Sequence, residues 1–182
     1  MSPIRIGSGI ALALASVAFA PQAFSHVTLA VKEAPVDSRY QAVLRVPHGC
    51  KGSSTTRIHI HIPEGVIGVK PQPKAGWTLE TVKGDYAQDY TQRGATIRSG
   101  VKEIVWTGGP LPDEHYDEFV LVSYLSSGLA PDSSVYFPVV QECEEGVERW
   151  VDIPSAGHGH DHGTGHGHSS SPAPGLKLLP KQ

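Results

Sequence analysis

The sequence predicts an all-β fold, a sandwich or barrel of short strands, and three observations carry that expectation. From residue 27 onward, short runs rich in Val, Ile, Leu, Thr and aromatic residues are each bounded by turn formers. Gly occurs 20 times and Pro 15 times in 182 residues, an excess that works against long helices. After residue 25 no window sustains an apolar stripe at helical spacing.

Taken in order, the predicted strands cover residues 27–31, 40–46, 57–62, 77–82, 103–106, 118–125, 135–140 and 147–153. The first two are aliphatic runs, closed by Pro47-His48-Gly49. The third has the clearest period of two: Ile58, Ile60 and Ile62 point to one side, Arg57, His59 and His61 to the other, so one face is core and one is wet. Pro63-Glu64-Gly65 ends it. The next pair, 77–82 and 103–106, is followed by Gly108-Gly109-Pro110, and 118–125 by the turn residues 128–131. After the last strand the domain is expected to end near Pro154. Residues 155–182 are Gly, His, Ser and Pro with little to bury, and are read as a disordered tail.

The N-terminus predicts export. Arg5 precedes an uncharged apolar run over residues 10–20, Pro21 and Gln22 interrupt it, and small residues follow. This is the pattern of a secretory signal peptide, and the run is shorter than the roughly 20 residues a membrane span needs. Cleavage sites after Ala20 and after Ser25 compete. The second, with Ala23 and Ser25 at the recognised positions, gives a signal peptide of residues 1–25 and a mature chain that begins at His26, without a membrane span. Export across the inner membrane, with the periplasm as destination, is the expectation. Cys50 and Cys143 are the two cysteines, and in an oxidising compartment they are expected to form a disulfide. No C-x-x-C pattern supports a thiolate metal site.

Composition restricts the chemistry. With 15 Lys+Arg against 18 Asp+Glu, the net charge of −3 excludes a strongly basic nucleic-acid binder. The chain has no G-x-S-x-G, Walker loop or H-E-x-x-H, so hydrolase and nucleotide chemistry lack support. Ten histidines and one methionine favour a metal that accepts nitrogen and oxygen donors. His26 is the leading ligand candidate because of its position: at a free N-terminus, α-amine and ring Nδ1 chelate one ion in a geometry that suits Cu(II). His59 and His61 share one strand face but lack an identifiable third ligand. His48 and His115 read as loop residues. In the tail, His158, His160, His162, His166 and His168 form an accessory metal-binding tract of unassigned metal.

His26-Val27-Thr28 after the leader, VPHGC ending at Cys50, IPEG from Ile62 to Gly65, Gly76-Trp77, WTGGPLP from Trp106, Tyr116-Asp117-Glu118-Phe119, and Gln141-Glu142-Cys143 with Gly146 and Trp150 together resemble the YcnI-like copper-binding domain family. The resemblance spans residues 26–154. It implies an immunoglobulin-like or cupredoxin-like antiparallel β-sandwich that holds one Cu(II) through a single-histidine brace. His26 would give amine and imidazole, Glu118 a carboxylate, and Trp150 would lie beside the metal. Asp117 is the neighbour that replaces Glu118 if the strand register is off by one. The expected function is copper uptake, storage or delivery without turnover, with copper and an exported or membrane copper-transport protein as partners. The alternative is a histidine-brace copper oxidase or monooxygenase, which would need a second histidine from His48, His59, His61 or His115.

Overall fold

The computed structural model describes residues 26–154 and 170–182. Among these residues every regular element is a strand. In chain order they are β1 (Thr28–Leu29), β2 (Glu33–Pro35), β3 (Ser38–Val46), β4 (Thr55–His61), β5 (Val66–Pro71), β6 (Trp77–Gln92), β7 (Ala95–Leu111), β8 (Asp117–Leu125), β9 (Ser134–Tyr136), β10 (Val139–Cys143), β11 (Val147–Asp152), β12 (Ser170–Pro172) and β13 (Gly175–Leu179). They form a four-stranded sheet β1-β3-β8-β5, a six-stranded sheet β12-β11-β10-β4-β7-β6 and a three-stranded sheet β2-β13-β9. The fold is the all-β sandwich the sequence predicts.

One core joins the two larger sheets. Ile58, Ile60, Ile104 and Trp106 from one, and Leu44, Phe119, Leu121 and Leu125 from the other, are fully shielded from water. Phe119 meets the rings of Trp77 and Trp106 edge-on, at 5.1 and 5.4 Å between centroids, so a single aromatic knot bridges the layers. The alternation in β4 falls as read: its isoleucines are inside, while His59 and His61 face outward. Cys50 and Cys143, 93 residues apart, are disulfide-bonded, which fits an oxidising compartment. No described helix is long and apolar enough to cross a membrane.

The structure corrects the expected disordered tail in its last part. Residues 155–169, with all five tract histidines, lie outside the described residues, but residues 170–179 carry two strands. β13 inserts between β2 and β9, and Leu176 and Leu178 are completely buried. The Leu176-Lys177-Leu178 alternation is short, and composition overshadowed it; it forms a strand because two other strands present unpaired edges to it. The sandwich therefore extends past Pro154. This segment also makes the only parallel pairings among the described strands, β13 with β2 and β12 with β11.

The hairpin β6–β7 is also longer than expected. Its outer halves are largely polar on both faces and gave no strand signal, yet the ladder continues to Gln92 opposite Ala95. The ladder is interrupted between Asp85 and Tyr90, and the tip bends there over β5. Tyr86 and Tyr90 bury themselves with Ile67 in a second small cluster. Gly100 is required by this packing, since a Cβ there would lie 1.9 Å from the Tyr86 hydroxyl.

Candidate metal site

Trp150 lies on the inner side of β11, opposite Val139 of β10, and is buried. Its Nε1–H donates to Oε1 of Gln141 at 3.2 Å. Gln141 is itself fully buried and donates from Nε2 to the His48 carbonyl at 2.7 Å and to Thr55 Oγ1 at 2.8 Å. Every hydrogen-bonding atom of the amide side chain thus has a partner, and the indole is fixed in place. The motif reading includes Gln141 but assigns it no role. The clue available was a polar side chain in the alternation of a strand whose neighbours are apolar.

His26 precedes β1 and is exposed. Its ring lies edge-on to Trp150, with centroids 5.4 Å apart and planes at 89°. A shallow hollow of about 200 Å³ opens here, lined by His26, Lys32 and the 172–175 segment between β12 and β13. Two of the three residues that the sequence placed at the metal, His26 and Trp150, therefore meet, and the C-terminal strands build one wall beside them. In the full-length chain the His26 nitrogen is an amide of the Ser25–His26 peptide bond. Its amine exists only once that bond is cut.

Glu118 is not brought to this cluster. In β8 the inward positions are Phe119, Leu121, Ser123 and Leu125, and Glu118 is on the outer face with its partner across the ladder, Arg45. Arg45 Nε donates to Glu118 Oε1 at 2.9 Å, an exposed pair. Thr28 of β1 lies opposite Arg45, which puts β3 between the Glu118 strand and the strand that follows His26. Asp117 is held by Lys74 Nζ at 2.6 Å and accepts the Glu118 amide at 2.8 Å. The other candidates are dispersed. His59 Nε2 and Glu103 Oε2 share a hydrogen bond of 2.9 Å on the outer face of the six-stranded sheet, and the His115 amide donates to Pro112. Among the described residues no three His, Cys, Asp or Glu side chains are grouped to hold a metal. The donors assembled here are those of His26, above an indole that offers a wall and no lone pair.

The family described as "Domain of unknown function (DUF1775)", which is the YcnI-like family domain, matches residues 26–178. The match begins at His26 and ends inside β13, in keeping with a domain that includes the C-terminal strands. No curated protein matches the chain. A crystal structure of an uncharacterized protein from Nocardia farcinica, reported to have an immunoglobulin-like fold, is similar to this chain with a TM-score of 0.57 and 23% identity. The likeness covers 85% of this chain and 98% of that one and shows the fold.

Proposed function

The chain belongs to the DUF1775 family, and we propose that it is an exported copper-binding protein that takes up, stores or delivers Cu(II) through His26 after residues 1–25 are removed. The observation that carries this reading is the His26–Trp150 pair: an exposed imidazole at the start of the domain, edge-on to an indole locked by Gln141. Copper is the cargo. Amine and ring Nδ1 of one residue supply two equatorial nitrogens without ordering any other part of the chain. The indole excludes water from one side and limits which ligands approach. Glu118 is the candidate third donor; to act it must leave Arg45 and reach past β3 from the outer face of β8, so its contribution comes at the expense of an exposed ion pair and a local rearrangement. Nitrogen and carboxylate donors with one histidine favour Cu(II) over Cu(I), which suits binding and transfer to an exported or membrane transport protein rather than turnover.

The test compares a protein that begins at His26 with one extended by a single residue, both with the five tract histidines replaced by serine. Cu(II) is titrated and followed by electron spin resonance. One equivalent should bind tightly to the first protein with nitrogen hyperfine structure, and the extension should remove that signal. Equal affinity and an identical spectrum for the extended protein would overturn the reading.

A further inference from the structure

At the opposite end of β3 from the His26 side lies a groove of about 600 Å³ on the outer face of the four-stranded sheet. Its floor is Val122 of β8, 46% exposed, with Lys70 of β5 beside it across the ladder. One wall is Arg39 and Gln41 of β3; the other is Gln92 and Arg93 at the tip of the β6–β7 hairpin. No carboxylate lines it. Asp37, just before β3, is taken by Lys181 and the Tyr124 hydroxyl. Arg39, Lys70 and Arg93 make no side-chain hydrogen bond or ion pair with any described residue. Three cations thus share one concave surface that no carboxylate lines, a region of positive potential that attracts an anion.

The hairpin tip sets the third cation at a conformational cost. Arg93 and Gly94 form the two-residue turn between β6 and β7, with φ of +50° and +80°. A turn of this kind wants Asn or Gly at its first position, and a long side chain there is disfavoured. The bend at residues 85–90, held by Tyr86 and Tyr90 against Ile67, brings this Arg over β5. The turn fixes where the Arg93 side chain leaves the hairpin, and with Arg39 and Lys70 it completes the cationic lining of the groove.

We propose that this groove binds an organic phosphate ester. Two guanidinium forks and an ammonium match the several oxygens of a phosphate, Gln41 and Gln92 can pair with its ester or hydroxyl oxygens, and Val122 accepts a short apolar portion. The cavity is larger than inorganic phosphate alone requires. Arg39 and Arg45 are six residues apart on β3, about 20 Å at 3.3–3.4 Å per residue, so this site and the His26 site are separate.

The experiment titrates glycerol 3-phosphate into the ¹⁵N-labelled chain at low salt and, in a second arm, sediments the chain with vesicles of phosphatidylglycerol or of phosphatidylcholine. Saturable shifts confined to the amides of Arg39, Gly68 and Gln92 support a soluble ester. Sedimentation with phosphatidylglycerol vesicles alone supports a lipid headgroup as source. In either arm Arg39→Gln and Lys70→Gln should each weaken binding about tenfold, the loss expected for one charged hydrogen-bonding partner. Arg93→Asn should weaken it similarly while raising the melting temperature, because Asn relieves the turn; this separates lost binding from lost folding. Absence of saturable binding in both arms, or binding that the three variants leave unchanged, would overturn the proposal.

Discussion

At one end of β3 a histidine leans on a buried tryptophan; at the other, three cations line a groove beneath a bent hairpin. Both places are finished by an element that arrives from far away in the chain, β12 and β13 for the first and the β6–β7 tip for the second. They differ in how the supporting shell is made. The Trp150 side is held by buried, fully paired hydrogen bonds through Gln141. The groove side is held by an apolar cluster and by Glu64, which receives Lys102 Nζ at 2.7 Å, the Tyr90 hydroxyl at 2.9 Å and the Ala87 amide at 3.0 Å. Damage to the first should therefore cost stability, and damage to the second should mainly cost local order.

The largest expected effect comes from ending the chain at Pro154. This removes Leu176 and Leu178, both fully buried, and opens the edges of β2, β9 and β11. At about 2–3 kcal/mol for each leucine before any edge is counted, the loss reaches about 5 kcal/mol, comparable to the whole stability of a small domain. A cooperative thermal transition should vanish, as followed by circular dichroism. Replacing the five tract histidines by serine should leave it intact. A truncated chain that melts like the parent would show that the C-terminal strands are an accessory and not part of the sandwich.

Next is Gln141→Leu, similar in volume but unable to pair. Trp150 Nε1, Thr55 Oγ1 and the His48 carbonyl lose a partner in a buried place, at about 2–4 kcal/mol. Urea denaturation should report that loss, and the Trp150 fluorescence should shift as the indole is released. A change below about 0.5 kcal/mol would show that the polar shell around Trp150 does not hold it.

The hairpin responds to acid. Burial opposes the charge on Glu64, but the bonds from Lys102, Tyr90 and Ala87 outweigh it and hold the carboxyl below its ordinary value of 4.5. A carboxyl lowered on folding stabilises the folded state fully above its ordinary value and loses that contribution as pH falls below it. Amide protection at residues 86–92, taken relative to the intrinsic exchange rate at each pH, should therefore fall below about pH 4.5 while the Trp150 side keeps its protection. Glu64→Gln should remove the acid dependence and cost about 1 kcal/mol or less, since the pair is partly exposed. Protection that falls equally at both ends would mean that the hairpin does not open on its own.

The two ends also differ in what a reader of the sequence can recover. His26, Cys50, Cys143 and Trp150 sit in runs whose residue types announce a role, and the pairing of both cysteines and the approach of His26 to Trp150 follow. Arg39, Lys70 and Arg93 lie in three unrelated segments; the β3–β8–β5 ladder sets the first two on one face, and a ladder interruption inside a polar hairpin adds the third. No local pattern encodes that bend. β13 was hidden for a related reason: its three leucines are too few to declare a strand, and the burial of Leu176 and Leu178 depends on edges built from residues 33–35 and 134–136. Glu118 shows the reverse case, in which a recognisable motif names a residue but does not say which way its side chain faces.

The smallest structural effect is expected at Arg45 and Glu118, and it decides how the His26 end is completed. The pair is exposed, so Arg45→Gln should change stability by only about 0–1 kcal/mol. Its effect on Cu(II) is more informative. If Glu118 ligates, copper and Arg45 compete for one carboxylate, and freeing it should raise affinity severalfold in the protein that begins at His26. Glu118→Gln should then lower affinity about tenfold, as for other losses around metal sites. The double variant should behave like Glu118→Gln alone, because no carboxylate is left to release. Affinity unchanged in all three would assign Glu118 to a surface ion pair and leave His26 with solvent as its co-ligand. A large loss in Asp117→Asn with a neutral Glu118→Gln would move the ligand one residue back, which would require Asp117 to exchange Lys74 for the metal.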